Sequence, residues 1–278
     1  MCRHLGYLGR PRTLHELIYA PPYSLEHQSY APRMSATCLV NADGYGAGWY
    51  PWPAGGDGSA GADGPAVGQG GAGGPVRFRR AQPIWTDVSF AEVARVITTR
   101  CLVAAVRSAT VGFPVDESCA QPFRAGSMLF SHNGRVEDFA GVEGKLRELA
   151  GDVATMPDAR AAVDSALLFA LAVRARRAGA GLGAALVEVV TTMADLSPGR
   201  YNLLAADGES ALAATRWGET LYVRESGGTA VIASEPNDDE PGWREVPDRS
   251  LVTVARAGPA GAPAITITPI EEAQWSAT

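Results

Sequence analysis

The order of strand-like and helix-like segments is the feature that most limits the fold of this chain. Short runs rich in β-branched and aromatic residues, bounded by Gly or Pro, occur on both sides of a helical middle. After Pro198 the chain returns to such runs. Blocks of strands that flank helices favour an α+β fold, with two sheets sandwiched between helical layers, over a parallel α/β sheet.

Periodicity places the individual elements. Leu182–Leu196 predicts one helix, a stripe at helical spacing that includes Val163 and Leu167 predicts another, and Val136–Leu149 predicts a helix interrupted by Gly141 and Gly144. The predicted strands are Cys2–Gly9, Ala36–Asn41, Val76–Arg80, Cys101–Arg107 and Ser127–His132 before the helices, and Tyr201–Ala206, Ala211–Arg216, Leu221–Arg224, Thr229–Ala233, Leu251–Arg256 and Ala264–Thr268 after them.

The second residue is a cysteine, and removal of Met1 would put a thiol and a free α-amino group on Cys2. An α-amine titrates near ~7.7–8.0 and an unperturbed thiol near ~8.5, so both groups are usable at neutral pH. Because a thiol is a strong nucleophile only when deprotonated, an amine on the same residue can serve as its base. Taken alone, a cysteine at position 2 is better explained by chance, because a single residue does not make a catalytic site.

Three later segments supply groups that would complete a catalytic site. Arg107 follows an apolar run, Asn133-Gly134 follows Leu129-Phe130-Ser131-His132, and Asp164 precedes a helix-like run. A guanidinium fork suits a carboxylate, an Asp suits an ammonium, and Asn-Gly can donate to a developing oxyanion. Each also has a structural explanation, since Arg107 could end a strand, Asn-Gly is a common turn, and Asp164 could be a helix N-cap.

Taken in this order, the four parts resemble the class II glutamine amidotransferases. The resemblance implies a four-layer αββα sandwich of the N-terminal nucleophile (Ntn) hydrolase type. It assigns the nucleophile to Cys2, the carboxylate grip to Arg107 with Thr110 nearby, the oxyanion hole to Asn133 and Gly134, and the hold on an α-amino group to Asp164. Many of these domains carry His-Thr immediately before the Arg, where this chain has Ala105 and Val106. That departure argues against the branch that feeds ammonia to synthases.

The opening Met1–Gly9 and the late segment 233–243 resemble a branch of stand-alone γ-glutamyl hydrolases. The resemblance implies cleavage of a γ-glutamyl amide in a small molecule through a Cys2 thioester, with no cofactor or metal. A general γ-glutamyl peptidase, a glutaminase subunit and a non-catalytic binding module remain alternatives. Candidate residues for the rest of the substrate are the aromatic or acidic side chains of two loops, Trp49, Tyr50, Trp52, Asp238, Asp239 and Trp243, although loop anchoring explains each of them as well.

Composition sets the limits around this site. A chain of 278 residues with 46% hydrophobic content can bury one substantial core, so residues 1–278 are expected to form a single domain, with a flexible Gly-rich insert at about 53–75. Net charge −6 argues against a nucleic-acid partner, no apolar run is long enough to cross a bilayer, and the amino terminus lacks a secretory pattern. A cytoplasmic enzyme is expected, of unknown oligomeric state. His4, His15 and His27 do not suggest a zinc site.

Overall fold

The computed structural model describes residues 2–34, 40–51, 74–208, 211–256 and 261–270. Within them the chain forms strands and helices in separate blocks, as the periodicity predicts. The strands are β1 (Arg3–Thr13), β2 (Tyr45–Pro51), β3 (Val76–Arg80), β4 (Thr98–Val106), β5 (Phe123–Ala125), β6 (Met128–Val136), β7 (Gly199–Asp207), β8 (Ala211–Arg216), β9 (Tyr222–Ser226), β10 (Thr229–Ala233), β11 (Arg244–Glu245), β12 (Ser250–Arg256) and β13 (Pro263–Pro269). The α-helices are α1 (Leu14–Ile18), α2 (Leu25–Gln28), α3 (Val88–Val93), α4 (Phe139–Ala150), α5 (Asp164–Arg177) and α6 (Leu182–Leu196).

The strands form two antiparallel sheets. One is seven-stranded, in the order β11-β9-β10-β1-β4-β2-β3, and the other is six-stranded, in the order β13-β12-β8-β7-β6-β5. The first strand of the chain therefore lies in the centre of its sheet, between β10 and β4. This central position places the amino terminus beside two segments, one about 100 and the other about 225 residues away in sequence.

Three hydrophobic clusters separate four layers. Alternate residues of β1 point to opposite sides of their sheet: Leu5 and Tyr7 pack with α1, α2 and α3, whereas Leu8 packs in the core between the two sheets. On the six-stranded sheet, Phe130 packs with α4, α5 and α6, and Leu129 faces the core between the sheets. Both sheets are thus apolar on both faces, and the chain has the αββα plan that the resemblance implied.

Strand β2 is absent from the predicted elements, and glycine explains why. Gly46 and Gly48 lower the strand propensity of this run, but each lies where a side chain cannot fit: a Cβ on Gly48 would lie 2.7 Å from Leu129, and one on Gly46 would overlap the carbonyl of Gln121. The predicted strand Ala36–Asn41 lies mostly outside the described residues, and Val40 and Asn41 are not in a strand.

Two other predictions concern α4 and the Gly-rich insert. Helix α4 runs without interruption through Gly141 and Gly144, so the predicted break is wrong. A glycine inside a helix costs only about 1 kcal/mol relative to alanine, which packing against α5 and the adjacent sheet can offset. Residues 53–73, which make up most of the predicted insert, lie outside the described residues. No described helix is both long enough and apolar enough to cross a membrane.

Candidate active site

The thiol of Cys2 lies at the start of β1, beside the end of β4. Because Arg3 pairs with Val106, Cys2 is a neighbour of the residues that follow β4. Its side chain is only 8% exposed. Burial raises the pKa of the Cys2 thiol, although the charged amino terminus, the Arg107 guanidinium and a hydrogen bond from the Ser108 backbone act in the opposite direction. At neutral pH the thiol is therefore protonated and needs a base before it can attack.

Arg107 is held by main-chain carbonyls on one side and is unpaired on the other. Its Nη1 donates to the Pro114 carbonyl at 3.0 Å and lies 3.4 Å from the Asp43 carbonyl. Its Nη2 is buried and has no hydrogen-bond partner among the described residues. An unpaired buried donor costs about 1–3 kcal/mol, so this side of the fork is suited to an anionic ligand such as a carboxylate.

Asn133 is connected to the strand that carries Cys2 through a serine. Its Nδ2 donates to Ser234 Oγ at 3.3 Å, and the same Oγ accepts the His4 N–H at 3.0 Å. His4 lies two residues beyond Cys2 on β1, so this bond ties the Asn133 amide to the strand of the nucleophile. Since an amide nitrogen carries two hydrogens, Nδ2 keeps a second N–H for another acceptor.

The N–H of Gly134 points to an unpaired edge of the six-stranded sheet. Strand β5 pairs with β6 only as far as Phe130, and beyond it the N–H of His132 donates to Gln121 Oε1 and that of Val136 to Asp164 Oδ2. Because N–H groups alternate sides along a strand, the N–H of Gly134 points the same way as these two. A Cβ at this position would overlap the Arg200 carbonyl, so only glycine fits.

Asp164 is the first residue of α5 rather than its N-cap, which is Val163. The capping interpretation is therefore off by one position. One carboxylate oxygen of Asp164 accepts the Val136 N–H at 3.0 Å, and the other accepts the Ser165 N–H at 2.7 Å. The carboxylate thus joins the start of α5 to the end of β6. It is close enough to Cys2 to affect the electrostatics of the thiol.

His132 orients this region without carrying charge. Its Nε2 lies 2.9 Å from the Arg200 carbonyl, which can only accept, so Nε2 carries the proton. Burial lowers the pKa of His132 and keeps the ring neutral, although the nearby Asp164 acts in the opposite direction. Nδ1 therefore accepts the Ser165 hydroxyl at 2.9 Å. These bonds favour a packing and orienting role over proton transfer.

The candidate residues for binding the rest of the substrate instead make contacts that anchor their loops and strands to the fold. Trp49 packs between the seven-stranded sheet and its helices, and the Tyr50 hydroxyl donates to the Ser127 carbonyl. Asp238 accepts the indole N–H of Trp243 at 2.9 Å and is paired with Arg224, while Asp239 accepts the Tyr23 hydroxyl at 2.8 Å. Trp52 lies outside the described residues.

The predicted glutamyl-site residues differ in how directly the structure connects them to Cys2. Arg107 and Asp164 both act on the electrostatics of Cys2, and Asn133 is linked to β1. Thr110 is partly exposed in the loop after Arg107, where its carbonyl accepts the Phe113 N–H. Sequence reasoning missed Ser234 and Asp43. Ser234 belongs to the late segment that carried the resemblance, but no local pattern reveals that it contacts β1.

Comparison with known proteins gives a consistent result. The family model for "Glutamine amidotransferases class-II" matches residues 19–227. A "Gamma-glutamyl-hercynylcysteine sulfoxide hydrolase" of Mycolicibacterium smegmatis is 42% identical over 258 residues, which cover 92% of this chain and 97% of that protein. A protein of the same name from Mycobacterium tuberculosis (strain CDC 1551 / Oshkosh) is 38% identical over 274 residues, which cover 99% of each chain.

Solved structures agree on the fold. A glutamine aminotransferase class-II domain protein from Silicibacter pomeroyi superposes with a TM-score of 0.62 at 19% identity, over 95% of this chain and 98% of that one. The glutamine phosphoribosylpyrophosphate amidotransferase of B. subtilis superposes with a TM-score of 0.60 at 15% identity, over 97% of this chain and 49% of that one. At such low identity these structures support the architecture alone.

Proposed function

The chain belongs to the class II glutamine amidotransferases, and from this premise we propose that it hydrolyses the γ-glutamyl amide of γ-glutamyl-hercynylcysteine sulfoxide, releasing glutamate, in ergothioneine biosynthesis. The relatives named for that activity align with the present chain over 97% and 99% of their own lengths. The structural observation that carries the proposal is the buried guanidinium of Arg107. Its Nη2 has no hydrogen-bond partner among the described residues, and the charge of the guanidinium acts to lower the pKa of the Cys2 thiol.

Substrate binding uses two opposite charges. The free side of the Arg107 fork binds the α-carboxylate of the glutamyl group, and the Asp164 carboxylate binds its α-ammonium. Both groups are less than one-tenth exposed. Charge-assisted hydrogen bonds of this kind are about twice as strong as neutral ones. A γ-glutamyl compound held by these two contacts would present its γ-carbonyl to Cys2. Thr110, in the loop that follows Arg107, would lie on the side of the carboxylate.

The reaction proceeds through a thioester. With Met1 removed, the α-amine of Cys2 accepts the thiol proton, and Sγ attacks the γ-carbonyl carbon. The second N–H of Asn133 Nδ2 and the backbone N–H of Gly134 stabilise the oxyanion. The intermediate collapses as the α-ammonium protonates the departing amine. A water molecule, deprotonated by the same amine, then attacks the thioester carbon, so glutamate leaves and the thiol is restored.

A substrate panel tests the activity. Purified protein would be assayed with γ-glutamyl-hercynylcysteine sulfoxide, glutathione and free glutamine, and kcat/KM should be highest for the first. Faster cleavage of glutathione would instead indicate a general γ-glutamyl peptidase, and faster release of ammonia from glutamine would indicate a glutaminase subunit. Cys2→Ala should abolish turnover but retain substrate binding by calorimetry, because neither charged contact involves sulfur.

Maturation provides a second test. Intact-mass analysis of active protein should show a chain that begins at Cys2. Fully active protein that retains Met1 would contradict the use of the α-amine as base, whichever substrate is cleaved.

A further inference from the structure

Strand β2 begins near the catalytic residues, because its first residue, Tyr45, pairs with Val106. The two residues before it, Asp43 and Gly44, hold the segment that follows β4. The N–H of Arg107 donates to the Gly44 carbonyl at 2.7 Å, and the carbonyl of Arg107 accepts the Asp43 N–H at 2.9 Å. The Asp43 side chain continues this ladder by one step, because its Oδ2 accepts the Ala109 N–H at 2.8 Å. A carboxylate therefore takes the place of the next backbone carbonyl that β2 would have supplied.

These three bonds enclose Ser108 and determine where its N–H points. Along an extended chain, successive N–H groups point to opposite sides. The N–H groups of Arg107 and Ala109 both point towards the β2 side, so the N–H of Ser108 points towards β1. On that side lies Cys2, whose sulfur interacts with the Ser108 backbone. The Asp43 carboxylate therefore aims a backbone donor at the nucleophile without touching it.

We propose that Asp43 is a positioning residue that activates Cys2, acting through the Ser108 N–H to stabilise the thiolate. This inference deepens the proposed function, because it assigns a further residue to the same site. The carboxylate contributes through Ala109. The bonds between Arg107 and residues 43 and 44 involve the main chain of those two residues. Removing the side chain should therefore affect the sulfur more than the grip on the glutamyl group.

The pH dependence of Cys2 alkylation by iodoacetamide tests the proposal without any substrate. In Asp43→Ala the Ser108 N–H loses its alignment and the thiolate loses a charge-assisted hydrogen bond. We therefore expect the pKa of the Cys2 thiol to shift upward by about one unit, with about tenfold slower alkylation at pH 7. Asp43→Asn keeps an oxygen that can accept from Ala109, so it should react at least as fast as the wild type. In steady-state hydrolysis, Asp43→Ala should lower kcat with little change in KM.

A matched control separates this effect from general destabilisation. Asp87 accepts the Phe90 N–H at 2.9 Å at the start of α3, on the far side of the seven-stranded sheet from the inter-sheet core. Asp87→Ala should lower the free energy of unfolding but leave the alkylation profile unchanged. A wild-type alkylation profile in folded Asp43→Ala would overturn the proposal, as would Asp43→Asn reacting as slowly as Asp43→Ala. Because alkylation needs no γ-glutamyl compound, failure of the proposed function would appear separately, as absent hydrolysis by the wild type.

Discussion

At the scale of single residues, two donors share the oxyanion in the proposed mechanism. Asn133→Ala removes one of them, and we expect kcat to fall by about 10²–10³ with a much smaller change in KM, the usual loss for one such donor. Asn202, the cross-strand partner of Asn133, provides a control because its amide bonds backbone groups alone among the described residues. Asn202→Ala should lower stability without a selective loss of kcat. An effect of Asn133→Ala confined to KM would reassign that residue to ground-state binding.

Arg107 presents the second residue-scale prediction. Lysine keeps the positive charge but cannot span both the Pro114 carbonyl and a carboxylate ligand, because its ammonium is a single point charge. We expect Arg107→Lys to lower kcat/KM severely and to weaken calorimetric binding of glutamate. Thermal unfolding of the same sample checks that the fold is intact. Hydrolysis close to the wild-type kcat/KM would remove Arg107 from the site.

At the scale of elements, replacing either of two glycines with alanine is expected to change stability, and the two changes have opposite sign. A Cβ on Gly144 of α4 would meet no atom within 4 Å, so Gly144→Ala should stabilise the protein by about 0.5–1 kcal/mol through helix propensity. Gly46 lies in β2, where a Cβ would come 2.8 Å from the Phe78 carbonyl and closer to that of Gln121. Gly46→Ala should therefore destabilise the protein. Chemical denaturation of the two variants measures both changes, and equal effects would contradict the placement of β2.

At the scale of the whole molecule, His4 couples the stability of the sandwich to pH. The ring is fully buried, and neither nitrogen has a hydrogen-bond partner among the described residues. Burial, reinforced by His132 and Arg3, lowers the pKa of His4 to about 3. An unfolded histidine titrates near ~6.5, so between these values the unfolded state binds the extra proton. The contribution of His4 to the free energy of unfolding is therefore fully present above about pH 6.5 and is lost as the pH falls towards 3.

The corresponding experiment compares unfolding free energies at several pH values. This single histidine should contribute a slope of up to about 1.4 kcal/mol per pH unit between pH 4 and 6. His4→Asn should flatten the pH dependence by that amount, whereas His15→Asn, which changes a partly exposed ring on α1, should change it much less. Identical slopes for His4→Asn and the wild type would show that His4 is not buried as a neutral ring.

Much of this protein could be predicted from local patterns. Strands β3, β8 and β10 and helix α6 have the predicted bounds. In each of these segments the spacing of apolar residues along the sequence agrees with the secondary structure that forms. The residues proposed for catalysis were recognisable because their chemistry is specific: a thiol at position 2, a guanidinium after a strand, an Asn-Gly pair and an Asp before a helix. The four-layer arrangement followed from the blocks of strands around the helices.

Only the tertiary structure decided how these parts meet. Ser234 Oγ accepts the N–H of His4 across 230 positions of sequence, and Asp43 reaches Ala109 across 66. Strand β2 forms by pairing with β3 and β4, and its glycines are needed because neighbouring atoms leave no room for side chains there. A sequence shows the period of each segment but not which distant backbone groups become its partners. Those partners are selected when the sheets pair and pack, since that is when each buried donor must find an acceptor.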